Sequence, residues 1–162
     1  MNKIKIIALM GKAGAGKDYL LQELIKGNKN EYNEIISCTT RPPREGEVNG
    51  KNYYFLTEEE FKQQNMIEST EFRGWHYGTS IESLDKEKVN VGVFNPAGVR
   101  SLIANSSVIV KPYWVQAEDK TRLLRQLNRE ENPDVQEIIR RWQTDEEDFA
   151  NIDFPFTIYW ND

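Results

Sequence analysis

The most informative stretch of the sequence is Met10-Gly11-Lys12-Ala13-Gly14-Ala15-Gly16-Lys17-Asp18. It follows an apolar run at 4–9, typical of a buried strand, and precedes 19–25, where apolar residues recur with a helical period. A glycine loop between a strand and a helix is the setting in which Gly-x-x-x-x-Gly-Lys binds phosphate. Backbone N–H groups can turn inward there, and the helix N-terminus favours negative charge. Lys17 adds a positive charge that can bridge β- and γ-phosphates. The pattern predicts an ATP site formed by Gly11, Lys12, Ala13, Gly14, Ala15, Gly16, Lys17 and Asp18.

Asp18 stands where this pattern usually has Ser or Thr, a magnesium ligand. A carboxylate can hold Mg²⁺ directly or through water, so we expect Mg²⁺ to accompany ATP, with Asp18 as the candidate metal ligand. The alternative is a glycine-rich turn that binds nothing.

The composition excludes several other classes of function. The chain has 162 residues, long enough for one domain, with 26 acidic against 21 basic residues, so general nucleic-acid binding is not expected. Neither a membrane-spanning apolar run nor a signal-peptide pattern is present. Cys38 is the one cysteine and His76 the one histidine, which excludes an intramolecular disulfide and argues against zinc or a His-dependent triad. We therefore expect a cytoplasmic enzyme whose partners are small molecules rather than nucleic acid or membrane.

Local patterns predict the remaining elements. Thr57 and Glu60 form a capping-box pattern at a helix start. In the central and C-terminal parts of the chain, segments with the apolar pattern of a strand alternate with segments that have the apolar period of a helix. Pro112 would break the strand that contains it or place that strand at an edge of the sheet. The predicted strands are 34–38, 66–72, a second one before 80, 89–94, 108–115 and 154–160, and helices are predicted from 80, at 95–103, at 118–128 and from 134.

Two arginines flank a stiff double proline in the loop after the predicted strand 34–38. Arg41 and Arg44 carry forked donors suited to phosphate, so they could form a second anion site; a solvated charged loop is the alternative. The residues from Ser37 to Phe55 resemble the nucleotide-monophosphate motif of guanylate kinases, which is roughly S-x-T-T-R-x-P-R-x-G-E-x-x-G-x-x-Y-x-F. The resemblance covers nearly the whole chain.

This resemblance implies a fold and a reaction. The fold is a P-loop α/β class with a three-layer α/β/α core and a parallel sheet (1–38, 80–117 and 142–162). It also has a β-rich acceptor lobe (39–79) and a helical lid (118–141). The reaction is transfer of the ATP γ-phosphoryl group to GMP or dGMP. Two alternatives stay open: a different or relaxed acceptor, such as another deoxynucleotide or a ribose bisphosphate, and a non-catalytic module that binds phosphopeptides.

The resemblance also implies site residues. Glu68, Ser37 and Thr79 would recognise guanine, since a carboxylate can accept from guanine N1–H and the 2-amino group, donors that adenine lacks. The acceptor site would comprise Ser37, Arg41, Arg44, Glu47, Tyr53, Glu68, Tyr77, Gly78 and Thr79. The catalytic cations would be Lys17, Arg41, Arg129 and Arg141, with Arg140 as the alternative to Arg141.

The chain departs from the family in two places. The family usually has aspartates where this sequence has Val93 and Asn95. The family also continues with another helix after the last strand. In the final segment of this sequence, Asn161 matches a residue that often contacts the donor adenine in the family. These departures put the acceptor and the metal site in question and leave Asp18 as the most obvious acid near the phosphates.

Overall fold

Five parallel strands form the central sheet of the computed structural model, which describes residues 2–162. The elements in chain order are β1 (Ile4–Met10), α1 (Lys17–Gly27), β2 (Tyr32–Glu34), β3 (Cys38–Thr39), β4 (Tyr54–Phe55), α2 (Glu58–Gln63), β5 (Met66–Phe72), β6 (Trp75–Ser80), β7 (Val89–Val93), α3 (Pro96–Ala104), β8 (Val108–Gln116), α4 (Asp119–Asn128), α5 (Val135–Asp148) and β9 (Thr157–Trp160), with one turn of 3₁₀ helix at Ile81–Ser83. The sheet order is β2-β7-β1-β8-β9. The predicted α/β class with a parallel sheet is confirmed.

Both faces of β1 are covered, which explains its nearly continuous apolar sequence. On one face Ile6 and Ala8 pack with Val99 and Leu102 of α3. On the other face Leu9 packs in a cluster with Leu21 of α1. The result is three layers, with the carboxyl ends of β1, β7 and β8 meeting at one edge. Ligands of open α/β sheets bind at this edge.

A second, four-stranded sheet has the order β4-β3-β6-β5. Its strands come from the chain between Cys38 and Ser80, and α2 follows β4. The predicted capping box is confirmed: the Thr57 side chain accepts from the Glu60 N–H, and the Glu60 side chain accepts from the Thr57 N–H. Its strands β5 and β6 carry Glu68, Tyr77, Gly78 and Thr79 of the predicted acceptor site.

Three of the local predictions differ from the structure. The helix predicted from 80 is a single turn of 3₁₀ helix at Ile81–Ser83, and the last strand begins at Thr157 rather than at 154. The predicted strand 34–38 was wrong, because the chain leaves the central sheet there: β2 ends at Glu34, and Cys38 already belongs to the second sheet. Of the two outcomes predicted for Pro112, the edge position is confirmed: Pro112 does not interrupt β8, since it pairs in register with Ala8. β9 joins β8 only from Tyr113, so the first half of β8 is an edge on that side and accommodates a proline.

Within residues 2–162, no helix combines the length and the apolar character needed to cross a membrane.

Candidate functional site

The glycine loop, residues 11–16, connects β1 to α1 as the sequence predicted. Gly14 and Gly16 have φ angles of 81° and 88°, in the left-handed region that favours glycine. A Cβ on Gly14 would lie 2.5 Å from the carbonyl oxygen of Arg122. The loop therefore needs glycine both for its turn and for the close approach of α4.

Lys17 folds back over this loop. Its Nζ donates to the carbonyl oxygens of Gly11 at 2.5 Å and Lys12 at 3.4 Å. Burial lowers the pKa of Lys17, and the charge of Arg129 acts in the same direction, while the negative charges of Asp145 and Asp18 oppose the shift. The ammonium group thus lies among loop carbonyls, where it can turn towards an incoming phosphate.

Side chains outside the loop hold its carbonyl groups. The Ala13 carbonyl oxygen accepts from Arg122 Nη1 at 3.2 Å and Gln126 Nε2 at 3.3 Å. The next two carbonyls are held in the same way, by Arg125 Nη1 on Gly14 at 3.1 Å and by Asn161 Nδ2 on Ala15 at 3.0 Å. Three consecutive peptide groups are therefore fixed by donors from α4 and the segment after β9.

An acidic side chain of α5 reaches the other side of the loop. The Ala13 N–H donates to Asp145 Oδ2 at 2.7 Å, and Lys12 Nζ forms an ion pair with Glu146 at 2.8 Å. An N–H group of the predicted phosphate site thus already binds an anionic oxygen from the protein. Sequence reasoning missed this contact.

A cleft of about 340 Å³ lies between the glycine loop and the second sheet. Lys17 and Gly11 line one side, and residues of the second sheet and of the segment just before it line the other. The residues around the cleft are Gly11, Lys17, Ser37, Tyr53, Glu68, Thr70, Tyr77, Gly78, Val93, Phe94, Asn95, Asp145, Asp148 and Phe149. The predicted donor lysine and five of the predicted acceptor residues therefore share one cavity.

Glu68 enters the cleft from β5 with its carboxylate held by a neighbour. Thr79 Oγ1, which is fully buried, donates to Glu68 Oε1 at 2.9 Å. Burial raises the pKa of Glu68, and the bond from Thr79 partly opposes this shift. The protein thus positions one carboxylate oxygen, Oε1, in a site where burial disfavours the charged form of Glu68.

Arg41 borders the cleft rather than lining it. Its guanidinium forms a two-pronged ion pair with Glu47, at 2.9 and 3.0 Å, and lies 5.4 Å from the ring centroid of Tyr53. The pKa of Glu47 falls to about 2 because it accepts hydrogen bonds from Arg41 and from the Arg44 N–H. Glu47 therefore orients Arg41 instead of facing the cleft, and Arg44 is exposed.

The predicted lid arginines occupy different positions. Arg129, just after α4, is near enough to Lys17 for its charge to lower the pKa of that lysine further, in addition to burial. Arg140 and Arg141 are exposed on α5, and both form ion pairs with Glu137. Arg141 lies along the groove between α4 and α5 with Arg129, not in the cleft, so its predicted role stays a prediction.

The acids near the loop bear on the predicted metal site. Asp18 is exposed in the first turn of α1, and its charge acts on Lys17 together with that of Asp145. No group of three or more His, Cys, Asp or Glu side chains that could hold a metal ion occurs among residues 2–162. Mg²⁺ bound to a nucleotide takes most of its ligands from phosphate and water, so a single carboxylate at this edge is enough.

The positions that differ from the resembled family also face the cleft. Val93 is the last residue of β7 and Asn95 follows it, and Asn95 Oδ1 accepts the Gly98 N–H at 2.8 Å as the N-cap of α3. Asp145 and Asp148 of α5 enter the same cleft. Their spacing of three residues on one helix face, soon after Arg141, is the signal in the sequence that could have found them.

A family model described as guanylate kinase matches residues 3–162. A guanylate kinase of Prochlorococcus marinus is 43% identical over 95 residues, which cover 56% of this chain and 50% of the relative. A guanylate kinase of Nostoc sp. is 35% identical over 131 residues, 73% of this chain and 65% of the relative. The chain thus spans between half and about two-thirds of the length of these relatives.

The fold has a match among solved structures. The crystal structure of guanylate kinase from Anaplasma phagocytophilum has a TM-score of 0.62 at 20% identity, covering 100% of this chain and 79% of that chain. This likeness supports the arrangement of the sheet and the helices.

Proposed function

The chain belongs to the guanylate kinase family, and we propose from this that it transfers the γ-phosphoryl group of ATP to GMP or dGMP. One observation carries the proposal: Lys17 and Glu68 line the same cleft of about 340 Å³. A donor phosphate at the loop and a guanine at Glu68 would therefore meet across a single cavity.

Glu68 recognises the acceptor base in this proposal. Its carboxylate accepts from guanine N1–H and the 2-amino group, while Thr79 holds one of its oxygens. Burial, which raises the pKa of Glu68, leaves the carboxylate poorly solvated, so an acceptor without these donors would leave the oxygen that Thr79 does not hold without a partner. Guanine is thus favoured over adenine. Ser37, Tyr53 and Tyr77 complete this wall of the cleft.

Arg41 and Arg44 hold the acceptor phosphate. Arg41 is already oriented by Glu47 and by the rings around it, so little side-chain entropy is lost when an anion binds. Arg44 is exposed on the same loop and is free to turn inward.

Lys17 and the N–H groups of the glycine loop hold the donor phosphates. Phosphoryl transfer requires mainly that two anions be brought together and that negative charge be stabilised; the acceptor phosphate is already ionised, so no general base is needed. Mg²⁺ would neutralise charge on the β- and γ-phosphates, and Asp18 or Asp145 would hold it there. Asp145 has to leave the Ala13 N–H when ATP enters.

We also propose that the acceptor lobe (39–79) and the lid (118–141) close on the substrates. Closure would exclude water and so prevent hydrolysis of ATP. The charge of Arg129 already acts on Lys17. Arg141 would have to exchange Glu137 for a phosphate.

The proposed partners are ATP with Mg²⁺ and GMP or dGMP. The proposed location is the cytoplasm, where the buried thiol of Cys38 stays reduced.

An assay of ADP release with GMP, dGMP, AMP, dTMP and a ribose bisphosphate tests the proposal. We expect the highest rate with GMP or dGMP. We expect Lys17→Ala to lower kcat by at least about a hundredfold, because its charge acts on the group being transferred. Lys26→Ala, in the last turn of α1, is the matched control. Near-normal turnover of Lys17→Ala, or no release with any acceptor, would refute the proposal.

A further inference from the structure

Four side chains donate to three consecutive carbonyl groups of the glycine loop. Arg122 and Gln126 share the Ala13 carbonyl, Arg125 holds that of Gly14, and Asn161 holds that of Ala15. These donors lie on α4 and after β9, more than 100 residues from the loop in sequence. Such a row of bonds fixes the loop from outside the cleft.

Fixing a carbonyl also fixes the N–H of the following residue. The peptide group is planar and trans, so its C=O and N–H point in opposite directions. Holding the carbonyls of Ala13 and Ala15 therefore directs the N–H groups of Gly14 and Gly16 away from their side-chain partners. Within residues 2–162, neither of these two N–H groups donates to another group of the protein. The neighbouring N–H, that of Ala13, already binds the anionic oxygen of Asp145 at 2.7 Å.

Arg122 is buried and held by several neighbours, whereas the predicted lid residues Arg140 and Arg141 are exposed. It is 2% exposed, pairs with Asp119 at 2.9 Å, and its guanidinium lies 4.0 Å from the ring centroid of Trp142. Trp142 belongs to α5, the helix that also carries Asp145. Arg122 thus joins α4, α5 and the loop through one buried cation.

We propose that Arg122 and Gln126 are positioning residues of the donor site, which hold the Ala13 carbonyl of the glycine loop so that the N–H group of Gly14 faces the phosphates of ATP. They act through the backbone and do not touch the nucleotide. This inference rests on the proposed function for the identity of the donor.

Binding measured by calorimetry tests this role separately from turnover. The probes are ATP, inorganic tripolyphosphate and GMP, with wild-type protein, Arg122→Lys and Gln126→Met. Lysine keeps the charge but cannot reach the Ala13 carbonyl, Asp119 and the Trp142 face at once. We expect Arg122→Lys to bind ATP and tripolyphosphate about tenfold more weakly, with Gln126→Met affected severalfold, because each change loses donors to the loop. GMP affinity should stay within about twofold of the wild-type value.

Arg100→Lys is the matched control. Arg100 also pairs with a carboxylate, Asp153, donates to a carbonyl, that of Asn151, and lies over a ring, that of Phe154, but away from the loop. A fall in the melting temperature in both arginine variants, with phosphate binding lost only in Arg122→Lys, would support the role.

Two results would overturn the inference. One is unchanged tripolyphosphate binding by both Arg122→Lys and Gln126→Met; the other is an equal loss of ATP and GMP affinity, which indicates general destabilisation. If wild-type protein binds tripolyphosphate and the variants do not, the inference stands even when GMP is not phosphorylated. Wild-type protein that binds neither ATP nor tripolyphosphate would overturn this inference and the proposed function together.

Discussion

Replacing Asp145 by Asn is expected to tighten the binding of ATP measured without Mg²⁺. The Asp145 carboxylate accepts the Ala13 N–H at 2.7 Å, and its negative charge acts on Lys17. ATP must displace this carboxylate before its phosphates can bind. An amide of the same shape competes less, because it carries no charge.

The size of this effect follows from the hydrogen bond. A bond from an N–H to a charged acceptor contributes about 1.5–3 kcal/mol, and a neutral one about 0.5–1.5 kcal/mol. Replacing the carboxylate of Asp145 by the amide of Asn thus removes about 1 kcal/mol of competition, which corresponds to about fivefold tighter binding. Loss of the repulsion between the carboxylate and the phosphates acts in the same direction.

Calorimetric titration of ATP in the presence of a chelator measures the change. Glu147→Gln is the matched control, since it removes the same charge from the same helix at an exposed position. If Asp145→Asn binds ATP no more tightly than Glu147→Gln does, Asp145 does not compete with the donor phosphates.

Two further predictions concern pH. Because burial raises the pKa of Glu68, GMP affinity should begin to fall, as the pH is lowered, at a pH above the usual range of a glutamate. Thr79→Val removes the bond that opposes the shift and should move this fall to still higher pH in titrations of GMP; identical profiles would exclude Glu68 as the titrating acceptor. The pKa of Glu47 is lowered to about 2 by Arg41 and by the Arg44 N–H, so its contribution to stability is complete above its ordinary value and is lost as the pH falls towards 2. The difference in melting temperature between wild-type protein and Glu47→Gln should therefore shrink between about pH 5 and pH 2, and a constant difference would contradict the ion pair.

The parts of the fold that local sequence determines were predicted well. β1, the glycine loop and α1 followed from an apolar run, the spacing of the glycines and helical periodicity, and Gly14 and Gly16 have the left-handed φ angles that such a loop needs. The capping box at Thr57 followed from side-chain chemistry within four residues. The error at 34–38 arose because pairing decides which sheet a short strand joins: β2 pairs with β7 and β3 with β6, and neither partner is near in sequence.

In the candidate site, too, some residues could be predicted from the sequence and others depend on tertiary packing. Lys17 was predicted from the glycine-loop motif and Glu68 from the family resemblance, and the fold brings them to one cleft. Asp145 and Arg122 were not predicted, since their positions depend on how α5 and α4 pack over the loop, 132 and 109 residues away from Ala13. The three-residue spacing of Asp145 and Asp148 indicates one helix face, but it does not indicate which elements that face packs against.

The central claim is that Glu68 recognises guanine opposite Lys17, and the specificity of Glu68→Gln tests it most directly. The measurement is kcat/KM for GMP and for AMP with γ-labelled ATP, so that labelled GDP and labelled ADP are separated by chromatography. We predict that kcat/KM for GMP falls by about ten- to a hundredfold while that for AMP does not fall, because a charged acceptor for two guanine donors is lost. A preference for GMP over AMP equal to that of the wild-type protein would contradict the account.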